Sequence, residues 1–152
     1  MAQETDEDIR PSPLGGGLLH ASCVARDGRA VLIMGGAGSG KSALSLDLIS
    51  HGAILVSDDQ TQLNVRNGAL WAQAAPNIQG LIEARGVGIL NADAQPEAQV
   101  ALCVDMSKTE TVRLPQWHTI SRLGVSLPLL FKVPAPHFAP AILQYLTHGR
   151  SA

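Results

Sequence analysis

Gly35-Gly36-Ala37-Gly38-Ser39-Gly40-Lys41-Ser42 is the stretch on which the fold turns. It fits the pattern of a glycine, four residues, then Gly-Lys-Ser, with Gly35, Gly40, Lys41 and Ser42 at the matching positions. Its flanks agree with it. Ala30 to Met34 is a continuous apolar run suited to a buried strand. Lys41 to Ser50 carries apolar residues at 44, 46, 48 and 49, and Gly52 stands where a helix would end. The glycines let backbone N–H groups turn inward around phosphate oxygens, and the helix N-terminus adds a favourable dipole. The pattern predicts a nucleotide phosphate cradle over residues 35–42, with Lys41 toward the terminal phosphates and the Ser42 hydroxyl toward Mg²⁺.

Working outward, Leu18 to Ala25 has strand character, and Asp27-Gly28 signals a hairpin into the run before the cradle. Ala53 to Val56 reads as a short buried strand ending in Ser57-Asp58-Asp59. Gln60 to Val65 and Ala69 to Gln73 flank Asn67-Gly68, a second hairpin signal. Val100 to Val104 is an apolar strand ending at Asp105. Residues 107–135 are interrupted by proline around an apolar patch at Val125 to Phe131, which is either a core strand or a contact patch, and Ala139 to Leu146 reads as a terminal helix. Strand, glycine-rich loop, helix, strand is an α/β order, and the hairpins argue for a mixed sheet. Residues 1–17, acidic and then rich in Pro and Gly, read as a flexible tail, leaving 18–152 as one domain.

Bulk properties exclude several functions. The chain has 152 residues, 45% of them apolar and 16% charged, enough for a real core. Aromatics are 3% and the formal net charge is -2, so neither a stacking platform nor a basic stripe for nucleic acid is present. No apolar run reaches membrane-spanning length, and the acidic start lacks the order of a signal peptide, which points to the cytoplasm. Cys23 and Cys103 lie in apolar runs and read as small buried hydrophobes rather than a disulfide.

A cradle alone names no reaction. An acidic group is needed for the metal and usually another for the nucleophile. Two strands end in aspartate, at Asp58-Asp59 and at Asp105. The tandem pair follows the cradle helix directly and sets two carboxylates together, which suits a general-base role for one of them. Asp105 alone reads better as a turn or cap. Gly86 and Gly88, in an apparent strand, imply close approach of a ligand or of backbone. His118, His137 and His148 show no metal-ligand spacing, and Trp117 reads as a local packing anchor.

His20-Ala21-Ser22, the cradle, Gly52 to Asp59 and above all Ile82-Glu83-Ala84-Arg85-Gly86-Val87-Gly88-Ile89 resemble the catalytic domain of the HPr kinase/phosphorylase family, in order from about His20 to Asn91. The length resembles the short form known from alphaproteobacteria. The resemblance implies a phosphoenolpyruvate carboxykinase-like P-loop kinase domain. It implies ATP- and Mg²⁺-dependent serine phosphorylation of the phosphocarrier protein HPr, and also phosphorolysis of the phosphoserine. It makes Asp59 the proton acceptor for the attacking serine, with Asp58 beside it and His20 in contact with the catalytic acid. Lys41 becomes the nucleotide lysine, Ser42 and Glu83 the metal ligands, and Arg113 a weak match to a loop arginine that assists transfer. Ala37 stands where the family has serine and Ala43 where an acidic residue is common, which bears on rate and phosphate-donor preference. Self-association stays open. The rival readings are a catalytically silent ATP-binding regulatory module and a generic P-loop small-molecule kinase.

Overall fold

The computed structural model describes residues 2–4 and 6–152. The cradle strand β5 (Arg29–Met34) alternates its side chains between two cores. Ala30, Leu32 and Met34 enter one, and Val31 and Ile33 the other. A strand covered on both faces needs apolar residues at every position, which is why the run before the cradle is unbroken.

The antiparallel neighbour β4 (Ala21–Arg26) reaches β5 through Asp27 and Gly28, at φ 52° and 76°, as the Asp-Gly signal predicts. β4 also pairs with β6 (Ile54–Ser57), which delivers Asp58 and Asp59 beside the cradle. On the other side of β5 lies the long strand β11 (Glu97–Thr109), parallel to it. β11 is the hub of the sheet. Its first residues pair antiparallel with β8 (Ala69–Ala74), and its later residues pair parallel with β13 (Val125–Lys132). From β8 the sheet continues through β7 (Thr61–Arg66) and β3 (Gly17–Leu19) to β2 (Ile9–Pro11). From β13 it continues through β12 (His118–Arg122) to β1 (Ala2–Glu4). A separate hairpin joins β9 (Leu81–Ala84) to β10 (Gly88–Asn91). The mixed sheet encloses one core. The second lies under two helices, α1 (Lys41–Ser50) and α2 (Phe138–His148). Leu44 and Leu48 of α1, and Phe138, Ile142 and Leu146 of α2, recur at helical spacing and fill it. Each fully buried leucine stabilises the fold by about 1.5–3 kcal/mol.

One expectation needs correction, and one open alternative is decided. Within the stretch assigned to a flexible tail, Ile9–Pro11 pairs with Gly17–Leu19, and Ile9 packs on the sheet core. The Asp8 carboxylate accepts two hydrogen bonds from the buried Arg122 guanidinium, at 2.6 and 3.1 Å. Pro11 fits because β2 is an edge strand, where no partner needs its missing N–H. For residues 1 and 5 the tail expectation lies outside the described residues. The patch at Val125 to Phe131 resolves as strand β13, with Leu127 and Leu129 in the core. Both cysteines are buried and free. Among the described residues no helix is long and apolar enough to cross a membrane.

Candidate active site

The cradle leaves β5 at Gly35, whose φ of 145° and surroundings both demand glycine: a Cβ there would lie 2.6 Å from Ser39 Oγ. The loop ends at Gly40, φ 99°, and α1 begins at Lys41. Lys41 is buried, and its ammonium donates to the carbonyls of Gly35 and Gly36 at 2.8 and 3.0 Å. Ser39 Oγ is enclosed without a hydrogen-bond partner. A buried orphan hydroxyl inside a glycine loop is what a phosphate oxygen would satisfy, so the loop fits a nucleotide's phosphates.

Across the loop, the tandem aspartates separate into two environments. Asp58 is 7% exposed. Its Oδ1 accepts from Ser42 Oγ at 2.7 Å and from Ser22 Oγ at 3.1 Å, and its Oδ2 accepts from the Glu83 amide at 3.0 Å. Asp59 takes a left-handed backbone, φ 65°, which turns its side chain outward. Its Oδ1 lies 2.6 Å from His20 Nε2, with the two side chains 64% and 46% exposed. Ser22, fully buried on β4, links the pair by donating to Asp58 and accepting from the Asp59 amide at 3.1 Å.

His20, Ala37, Gly38, Gly40, Lys41, Ser42, Ala43, Asp59, Glu83 and Arg85 line one cleft of about 680 Å³. The structure thus gathers residues from four distant stretches of chain, as expected. Asp58 joins that cleft through its bond to Ser42. Arg113 does not belong to it. It lies exposed in the segment between β11 and β12, outside the cleft lining. Asp105 is outside that lining and accepts from the amide and hydroxyl of Ser107 at 2.9 and 2.6 Å. Among the described residues no backbone comes close to Gly86 or Gly88. They turn β9 into β10 at φ 84° and 139°, with nothing within 4 Å of an added Cβ. Trp117 is half exposed and packs locally, with the Arg150 guanidinium 4.4 Å over its ring.

Among the described residues no three His, Cys, Asp or Glu side chains gather as a metal cluster. The oxygen set present is a hydroxyl, Ser42, with a carboxylate, Asp58, and Glu83 lining the same cleft. Mg²⁺ is held by one or two carboxylates plus phosphate and water oxygens. Ligand distances of about 2.0–2.1 Å put adjacent oxygens about 2.9 Å apart. The 2.7 Å between Ser42 Oγ and Asp58 Oδ1 is close to that spacing, so the residues fit the ion. Ser22 is the residue that sequence reasoning missed. It stood in the His20-Ala21-Ser22 stretch that carries the resemblance, but no role was attached to it.

A family profile described as HPr Serine kinase C-terminal domain matches residues 17–126. The chain is 30% identical over 116 residues to an HPr kinase/phosphorylase of Malacoplasma penetrans, covering 72% of this chain and 37% of that protein. It is 34% identical over 116 residues to the HPr kinase/phosphorylase of Halalkalibacterium halodurans, covering 71% and 36%. The chain thus spans about a third of the length of these curated relatives. The solved Hpr(Ser) kinase/phosphatase of Coxiella burnetii superposes with a TM-score of 0.69 at 27% identity, over 86% of this chain and 93% of that one.

Proposed function

We propose that this chain, which belongs to the HPr serine kinase C-terminal domain family, is a cytoplasmic ATP-dependent protein kinase that phosphorylates a serine of the phosphocarrier HPr. The observation that carries this reading is the division of labour between the two aspartates. Asp58 is buried against the cradle's serine, while Asp59 stands open at the cleft mouth with His20 at 2.6 Å. An open carboxylate suits a hydroxyl presented by another protein, whereas small-molecule kinases enclose their substrate from water. The exposed Val87 on the β9–β10 turn borders the same cleft and offers that protein an apolar contact.

In the forward direction the Asp59 carboxylate takes the proton of the attacking serine hydroxyl, the serine oxygen bonds the γ-phosphorus of ATP, and the bond to the β-phosphate oxygen breaks to release ADP. His20 orients that carboxylate, and the Ser22 hydroxyl fixes the backbone amide behind it. Lys41 leaves its loop carbonyls to meet the terminal phosphates, and Ser39 Oγ gains its missing partner. Ser42, Asp58 and Glu83 would hold Mg²⁺, which when bound neutralises charge on the phosphate oxygens. Run backwards, inorganic phosphate attacks the phosphoserine phosphorus. The attacking hydrogen phosphate gives its proton to Asp59, the serine oxygen leaves and takes that proton, and pyrophosphate is released.

The test is transfer from γ-labelled ATP to purified HPr with and without Mg²⁺. Label on an HPr serine only with Mg²⁺ supports the reading. ATP binding with no label on HPr leaves a silent nucleotide-binding module, and label on a small molecule but not on HPr leaves a small-molecule kinase.

A further inference from the structure

The parallel strands β5, β11 and β13 end together at the cradle. Asp105 of β11 stands opposite both Met34 of β5 and Phe131 of β13. Lys132 therefore lies one residue further on, level with Gly35, at the carboxyl edge of the strands where α/β sheets bind ligands. Side chains alternate along β13: Phe131 packs toward the sheet core and Leu130 toward the helix-covered core, so Lys132 follows Leu130 to the side that carries α1. Its ammonium reaches the loop itself, because a Cβ on Gly40 would sit 3.9 Å from Lys132 Nζ. The irregularity in β11 between Asp105 and Thr109 adds Met106, whose Cε would lie 3.5 Å from the same point, and Met106 forms the apolar floor between loop and lysine.

Among the described residues no ion pair includes Lys132. Glu110, whose amide donates to the Lys132 carbonyl, accepts with its carboxylate from the amides of Thr111 and Val112 at 3.0 and 3.1 Å, and Asp105, opposite Phe131, accepts from Ser107. Lys108 is turned over the Phe131 ring, its Nζ 5.4 Å from the centroid. An unpaired ammonium set against a phosphate loop, opposite the lysine the motif supplies, is placed to meet an anion.

We propose that Lys132 is a second phosphate-binding lysine, contacting the polyphosphate of the nucleotide from the β13 side while Lys41 contacts it from α1. The proposal rests on reading residues 35–42 as the nucleotide site. Sequence motifs give no hint of it, since Lys132 enters from a strand some ninety residues away.

The experiment is calorimetric titration of Mg-ATP into the whole chain and into Lys132→Met, Lys132→Arg and Lys41→Ala variants, at low and raised salt. Thermal unfolding without nucleotide checks the fold. A charge-assisted contact predicts ATP binding about tenfold to a hundredfold weaker for Lys132→Met. It also predicts a shallower salt dependence, most of the affinity kept by Lys132→Arg, and unfolding temperatures near the parent's. Affinity within about twofold of the parent for Lys132→Met, while Lys41→Ala binds weakly, overturns the proposal and leaves the cradle standing. Weakening by Met that Arg does not restore also overturns it. If Lys41→Ala and Lys132→Met both bind ATP as the parent does, the nucleotide reading of the cradle falls as well.

Discussion

Replacing Asp58 by alanine should destabilise the domain far more than replacing its neighbour Asp59 by asparagine, although the two look equivalent in sequence. Asp58→Ala removes the acceptor for three donors. The Ser22 hydroxyl is fully buried, so its lost partner costs about 1–3 kcal/mol. Ser42 Oγ and the Glu83 amide border the cleft, where water can take over, and each costs about 0.5–1.5 kcal/mol. Relief from burying a carboxylate offsets part of this. The net loss is about 2–4 kcal/mol, a fall in Tm of about 5–15 °C for a domain of this size. Asp59→Asn keeps a residue that tolerates φ 65° and alters only an exposed pair, worth about 0–1 kcal/mol. Thermal and urea unfolding of both variants without nucleotide is the assay. An Asp58→Ala variant within about 2 °C of the parent, or an Asp59→Asn variant that is the less stable of the two, would refute the structural division between them.

Other outcomes follow from the same geometry. Glu83→Gln should raise the Mg²⁺ concentration needed for phosphate transfer, and an unchanged Mg²⁺ dependence would leave Ser42 and Asp58 as the metal-side oxygens. Asp8→Ala should cost about 1–3 kcal/mol in urea unfolding by removing the carboxylate from the buried Arg122, and no loss would return the N-terminal segment to a dispensable tail. Burial pushes the Cys103 thiol up to about 12, and the Cys23 thiol higher still, from an ordinary value of 9.0. A group with a raised folded value contributes stability below its unfolded pKa and loses it above, so unfolding free energy should fall from about pH 9 upward. The thiols' part of the fall should be about 1.4 kcal/mol per pH unit for each and absent in a Cys23→Ala, Cys103→Ala double variant, which keeps only the fall that the raised Tyr145 phenol gives above about pH 10.

The sequence made the centre of the fold legible because its signals there are local. A glycine loop between an apolar run and a helical pattern has few alternatives, and the Asp27-Gly28 and Asn67-Gly68 turns adopt the left-handed angles those residues favour, φ 52° and 76°, then 51° and 76°. The Leu123-Gly124 turn takes the same shape, φ 49° and 80°, but leucine there gives no warning. Edge strand β2 escaped because Pro11 and the nearby glycines look like a linker, and its reason to order lies far along the chain, in Arg122. The site shows the same limit. His20, Lys41, Ser42 and Asp59 meet as expected, yet nothing in Asp58-Asp59 tells which one faces inward. The left-handed backbone at Asp59 decides that, and the cross-strand partner Ser22 makes it possible. Arg113 was carried by a weak match in a segment without periodicity, and it lies outside the cleft.

The central claim is that Asp59, not Asp58, accepts the serine proton. It is tested most directly by single-turnover transfer from saturating labelled ATP to HPr, comparing the parent with Asp59→Asn. The account predicts nearly unchanged ATP binding and transfer slower by about a hundredfold or more, the usual contribution of a positioned general base. A near-normal transfer rate for Asp59→Asn would contradict it.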